Sequence, residues 1–196
     1  MIFLITERSI PKKISDAQIE GNMDVIRAIT RELNLMGNAT FLPKTPLLTE
    51  ERIFIPLHNT NNKIPEIDDT VVFSTGTDGK SLGISLPPSG LTLLQEIEPE
   101  ADFTHTELES AEEKLQTFVG FNLLPSIALK KKDDTWKLEL EKTLTCDNNT
   151  SLCRQYPCPI CSAALTAVTR AAKQPILIQD TTHNGKKVTF HLKIGE

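Results

Sequence analysis

Residues 160–173, Ile-Cys-Ser-Ala-Ala-Leu-Thr-Ala-Val-Thr-Arg-Ala-Ala-Lys, read as a helix with no charged face. Ala163, Ala164, Ala167, Ala171 and Ala172 are small all around it, Leu165 and Val168 add apolar bulk, and charge is confined to Arg170 and Lys173. A helix at a surface carries an apolar stripe and a charged face, whereas one that is apolar on every side has to be surrounded. The rest of the chain must therefore wrap this segment, and the alanines allow a sheet or a partner close approach. The two cations, near the C-terminus, suit the negative end of the helix dipole. Gln174-Pro175 then stops it.

The other elements are those of a sheet and its covers. Residues 15–36 predict an amphipathic helix. Ser15 and Gln18 fit a capping box, Ile19, Met23, Ile26 and Leu33 share a face with Ile29 beside it, and Gly37 stands at the C′ position. Strands follow at 39–42, 52–55, 70–74 and 81–86, each short, β-branched or aromatic, and bounded by Pro, Gly, Asn or Asp. Gly76-Thr-Asp-Gly79 is a β-turn before it is a phosphate nest. Pro87-Pro88-Ser89-Gly90 opens a short helix through Leu91, Leu94 and Ile97. A second follows Thr104, with Leu108, Leu115, Phe118 and Val119 inward. The acids along them, from Glu96 and Glu98 to Glu112 and Glu113, read as a solvated helix face.

Residues 126–129 and 135–140 form a hairpin in which Trp136, Leu138 and Leu140 alternate with polar residues. Residues 176–179 and 187–194 form the last one, with Asn184-Gly185 as a type I′ turn. A strict two-residue turn pairs Leu177 with Leu192 but sets Ile176 and Ile178 opposite Lys193 and His191. Either both faces of this ribbon are partly buried or the loop is longer. The fold class is thus α+β, with helices packed on a mainly antiparallel sheet and a cysteine loop, an apolar helix and a β-hairpin at the end. It is expected to be one domain over 1–196, with sub-units at 1–124 and 125–196.

All four cysteines, Cys146, Cys153, Cys158 and Cys161, fall within sixteen residues around the start of the apolar helix. Thiols gathered this closely share a metal, a cluster or disulfides. Their spacing lacks the two separated close pairs of a zinc ribbon, yet a flexible loop could wrap four thiolates around one zinc. An iron–sulfur cluster accepts varied spacings, and Pro157 and Pro159 would keep the backbone extended around Cys158. Cys158-Pro-Ile-Cys161 at a helix N-terminus also suits a redox pair, because the helix dipole lowers a thiol pKa. The remaining alternative is small buried thiols in a tight turn. Zinc or an iron–sulfur cluster on these four residues is the expected cofactor. His183 reads as a turn residue and His191 as the exposed face of a strand. No Gly-x-Gly-x-x-Gly, Walker loop or His-Glu-x-x-His occurs, so no catalytic residue is assigned and the reading leans away from an enzyme.

A net charge of -5, with Lys130-Lys131-Lys132 as the densest basic run, disfavours a surface that tracks phosphates. The expected partner is a small molecule or a protein, not nucleic acid. Met1-Ile-Phe-Leu-Ile5 falls far short of the roughly 20 residues needed to cross a bilayer. The chain is therefore expected in the cytoplasm, where reduced thiols favour metal or redox chemistry over disulfides.

Leu4-Ile-Thr-Glu-Arg-Ser-Ile-Pro11, Arg52-Ile-Phe-Ile-Pro56, Lys63-Ile-Pro-Glu-Ile-Asp68 and Leu82-Gly-Ile-Ser-Leu-Pro87 with Ser89-Gly90 resemble an uncharacterised archaeal family. Its members carry hydrophobic membrane segments upstream of the region matching Leu4 to Pro11, which implies a cytoplasmic domain with a membrane tether in relatives. At the level of fold, Cys158, Cys161 and the following Ser-Ala-Ala-Leu165, with the hairpin beyond, are similar to the small-molecule sensor domains called 4-vinyl reductase domains. The reading is binding and regulation, through a thiolate–metal site or an apolar pocket beside the C-terminal helix. A thiol-dependent redox enzyme, or a purely structural interaction domain, is the alternative.

Overall fold

The computed structural model describes residues 12–58, 64–74, 81–132, 135–141 and 150–195. Residues 1–5, the turn at 76–79 and Cys146 lie outside these. In chain order the elements are α1 (Lys12–Glu32), β1 (Thr40–Leu42), β2 (Arg52–Pro56), β3 (Phe73–Ser74), β4 (Gly83–Leu86) and α2 (Leu91–Ala101). A 3₁₀ turn (Leu108–Ser110) leads into α3 (Ala111–Leu115) and α4 (Thr117–Gly120), followed by β5 (Ile127–Lys132) and β6 (Thr135–Glu141). The chain closes with α5 (Thr150–Gln155), α6 (Pro159–Ala172), β7 (Ile176–Asn184) and β8 (Lys187–Ile194). The strands form one antiparallel sheet ordered β3-β4-β2-β1-β7-β8-β6-β5, so the fold is α+β as expected. Pairing of Thr40 with Leu177 and of Phe41 with Ile176 stitches the early strands to the late ones.

α6 is the centre of this arrangement. Cys161 through Ala171 are all buried, Ser162, Thr166 and Thr169 included, as the lack of a charged face predicts. α2 crosses it at Gly90, where an added Cβ would lie 2.1 Å from the Pro159 carbonyl oxygen and 2.2 Å from the Ala163 nitrogen. The turns entering the two helices are clasped as well. Ser89 Oγ donates to the Pro157 carbonyl at 2.8 Å, and the Tyr156 hydroxyl donates to that of Pro87 at 3.1 Å. Inward residues of β6 and β8, among them Leu138, Leu140, Phe190 and Leu192, join Leu94, Ile97, Leu115 and Phe118 in the main core. β2 is buried on both sides because its side chains alternate. Ile53 and Ile55 enter the main core, while Phe54 joins Leu42, Leu48 and Ile67 in a second, smaller one.

Several local features differ from the sequence reading, each for a backbone reason. α1 starts at Lys12, upstream of the proposed Ser15 cap. It ends at Asn34, whose φ of 51° is left-handed, and Leu35 N–H bonds back to the Thr30 carbonyl at 3.0 Å. This is a Schellman closure with Asn in the usual glycine position. Gly37 is needed for a different purpose, since a Cβ there would lie 2.2 Å from Pro56 Cγ. α2 runs on through Pro99, and the segment after Thr104 breaks into the 3₁₀ turn and two short helices.

In the last hairpin Asn184 still pairs with Lys187, so the turn is Gly185-Lys186. Only Gly185 has positive φ, at 56°, which is the type II′ pattern rather than I′. A bulge between Ile178 and Asp180 then shifts the register, setting Ile178 opposite Leu192 and Ile176 opposite Ile194. The apparent conflict between apolar and polar partners disappears with one extra residue. His183 lies in β7 opposite Val188, not in the turn.

The α2–α6 crossing gives the first test. Because the atoms that a Cβ at Gly90 would meet belong to the backbone, Gly90→Ala should lower stability in urea unfolding by about 3 kcal/mol. A loss below about 0.5 kcal/mol would show that the crossing can open without strain.

Candidate functional site

The two ends of α6 carry different chemistry. At its start, Cys158 is the N-cap, held extended (φ -60°, ψ 160°) between two prolines, and Cys161 sits in the first turn. Both thiols therefore lie at the positive end of the helix, as expected from sequence. Cys153 comes from α5. All three are buried, at 3% to 4% exposure, which shuts them from solvent. Burial also pushes the neighbouring Tyr156 phenol up. Among the described residues, no group of three or more His, Cys, Asp or Glu side chains could hold a metal ion. Cys146, the fourth expected ligand, lies outside the described residues.

In its last turn α6 carries Arg170, whose side chain is only 5% exposed. Its Nε and Nη2 donate to the two carboxylate oxygens of Glu51 at 2.7 and 2.8 Å, and Nη1 pairs with Glu98. Burial by itself would lower the pKa of Arg170. The hydrogen bonds from Glu51 and Glu98, and their charges, outweigh it and raise the value, so the guanidinium stays charged. The reading of Glu98 as part of a solvated acidic face is thereby corrected. A buried charge is retained only with partners. Here the partners tie α6 to the residue preceding β2 and to α2.

One turn further on, Lys173 adopts a left-handed φ of 54° and donates its N–H to the Thr169 carbonyl at 2.9 Å, ending the helix. At this end lies an open cleft of about 730 Å³. Its walls are lined by the segments 42–48 and 64–67, with Lys173 and Pro175 completing the lining. Pro43, Pro46, Pro65 and Pro175 fix their own φ and present no N–H, so the walls are apolar and pre-shaped.

Hydrogen bonds hold these walls. Thr45 Oγ1 accepts the N–H groups of Leu47 and Leu48 at 3.2 and 3.1 Å. Thr49 N–H reaches the Asp69 carboxylate at 3.1 Å, joining one wall to the segment that follows the other. Asp68 accepts from Thr70 Oγ1, Thr70 N–H and Val71 N–H at 2.7, 2.8 and 3.1 Å. Arg52, buried, donates to the carbonyls of Val71 and Ser85 and to Ser85 Oγ, pinning that segment to β4. The ionic side chains of the lining are Lys44 and Lys173 against the single carboxylate of Glu66. Sequence reasoning expected an apolar pocket beside this helix but named none of these residues. Prolines at 43, 46, 65 and 175, bracketing short apolar runs, were the signal in the sequence for them.

Fold and cleft together define an antiparallel α+β domain built around a buried helix, with an apolar, cationic-rimmed cleft at that helix's C-terminal end. The chain belongs to the family described as a domain of unknown function (DUF7982), which matches residues 1–192. No curated protein and no solved structure matches it. Among the described residues no helix is long and apolar enough to cross a membrane.

The cleft wall has a pH signature. Asp68 is held below its ordinary pKa, first by the Thr70 hydroxyl and then by the Thr70 N–H. A carboxylate whose folded-state pKa is depressed stabilises the fold above its unfolded value of about 3.9, and that contribution is lost as pH falls through the folded value. Asp68→Ala should therefore lower Tm near pH 7, and the gap to wild type should narrow as pH falls below the ordinary carboxylate value of about 3.9. A gap of constant size across that range would contradict the assignment.

Proposed function

We propose that the domain is a binding and regulatory module that takes an apolar small molecule with an anionic group in the cleft at the end of α6. The observation that carries this is the combination of a leucine, isoleucine and proline lining with two lysines against one glutamate. The volume falls within the range of about 300–1,000 Å³ usual for small-molecule sites. Ligand contact with Leu48 lies three residues from Glu51, so occupancy has a short route through the Arg170 ion pairs into α6.

A second reading keeps zinc or an iron–sulfur cluster on Cys146, Cys153, Cys158 and Cys161, supported by their gathering within sixteen residues of the sequence. Its signature is about one equivalent of metal or a visible cluster spectrum in protein purified without oxygen, with a melting temperature that falls on chelation. The cleft reading requires neither.

The probe for the cleft is 1-anilinonaphthalene-8-sulfonate, an apolar ring system with one anionic group, displaced by dodecanoate. Leu47 is 49% exposed and Lys44 is exposed, so Lys44→Glu with Leu47→Asp leaves the core intact. The double variant should keep its Tm and bind the probe at least about tenfold more weakly. Equal binding by the variant and wild type would rule the cleft out.

A further inference from the structure

Among the described residues other than glycine, the left-handed backbone region is entered at Asn34, Asp102, Asn122 and Lys173. Asn and Asp tolerate that setting because a short polar side chain bonds locally. A lysine there bears a steric cost that glycine, the usual residue where a helix closes, would not. Lys173 (φ 54°, ψ 23°) closes α6. Its setting is imposed from both sides: its own N–H bonds to the Thr169 carbonyl at 2.9 Å, and two residues on, the Pro175 carbonyl accepts the Gly195 N–H at 3.0 Å. Residues held in such conformations cluster at ligand sites, and Lys173 lines the cleft.

The electrostatics of this end give the lysine a use. A helix finishes in partial negative charge, and the ion cluster one turn back sets the guanidinium of Arg170 against the two carboxylates of Glu51 and Glu98, so it too is net negative. Without Lys173, this end of the cleft would repel an anion. Among the described residues neither Lys173 nor Lys44 stands in an ion pair, so both charges are available to a ligand. We infer that Lys173 sets the charge preference of the cleft, its ammonium meeting the anionic group of a ligand whose apolar body lies against Leu47, Leu48 and Ile64. Its left-handed setting is the cost in stability of keeping a charged side chain there. Lys44 adds to the positive field, but Lys173 is the cation that stands at the negative end of α6. The inference rests on the cleft reading above and adds which residue chooses the ligand.

The test compares two probes of one ring system on the full chain, the anionic 1-anilinonaphthalene-8-sulfonate and the neutral N-phenyl-1-naphthylamine. Wild type should bind both. Lys173→Met keeps the apolar stem and removes the charge, so it should bind the anionic probe about fivefold more weakly and the neutral one within about twofold of wild type. Lys173→Arg should retain the anionic preference. The loss in Lys173→Met should shrink at about 1 M sodium chloride, where charges are screened beyond about 3 Å. Lys173→Gly should melt about 2–4 °C above Lys173→Met, since both lack the charge and only glycine takes the left-handed setting freely. Wild type that binds neither probe would overturn the cleft reading and this inference with it. Uptake of both probes by wild type, with no selective loss in Lys173→Met, would overturn the inference alone. So would a Lys173→Gly that melts no higher than Lys173→Met.

Discussion

The guanidinium of Arg170, buried between Glu51 and Glu98, is the interaction on which the placement of the other elements depends. Three segments distant in sequence reach it: the last turn of α6, the residue before β2, and the middle of α2. An ion removed from water tolerates little displacement, because its desolvation is offset only while its partners stay within hydrogen-bonding distance. Apolar contacts with α6 could be made in several rotational settings, since its surface is small and smooth on every side. The two-pronged contact with Glu51 specifies one of them. The opposite end is fixed by contact rather than charge, where Gly90 lets the α2 backbone meet that of Pro159 and Ala163.

That placement also creates the cleft. The segment 43–48 leads from β1 towards Glu51, and its last residue, Leu48, joins Leu42, Phe54 and Ile67 in the second core. Arg52, next to Glu51 in sequence, fastens the 64–71 side through the Val71 carbonyl. Adjacent residues thus hold different parts, one securing the helix and one securing the roof. The thiol corner stands at the other end of a 14-residue helix, some 20 Å away at 1.5 Å per residue. Cleft and thiols are accordingly separate regions, joined by the helix between them.

Much of the fold was legible because it follows from local pattern. The all-round apolarity of 160–173 required burial, and the alternation of Trp136, Leu138 and Leu140 identified a half-buried strand. What sequence missed depends on partners far along the chain. An Asn that closes α1, a bulge that rescues the register of β7, and a glycine kept for contact with Pro56 are visible only once the neighbouring backbone is in place. Arg170 is the instructive case. An arginine inside an otherwise apolar helix could be read as a solvent marker or as a buried charge with partners, and nothing local distinguishes them. Its partners, Glu51 and Glu98, sit 119 and 72 positions away, among acids that resemble any solvated run. The cysteines drew attention through their spacing, which is strong as a pattern and indifferent to whether the thiols coordinate or pack.

The most direct test of the central role of Arg170 is a double-mutant cycle with Glu51, measured by urea unfolding. Arg170→Met and Glu51→Leu singly each leave a buried charge without its partner and should lower stability by about 3–5 kcal/mol. Together they should cost less than their sum by about 2 kcal/mol or more. Single losses near 1 kcal/mol that simply add would contradict the account, and would mean that apolar packing alone sets the position of α6.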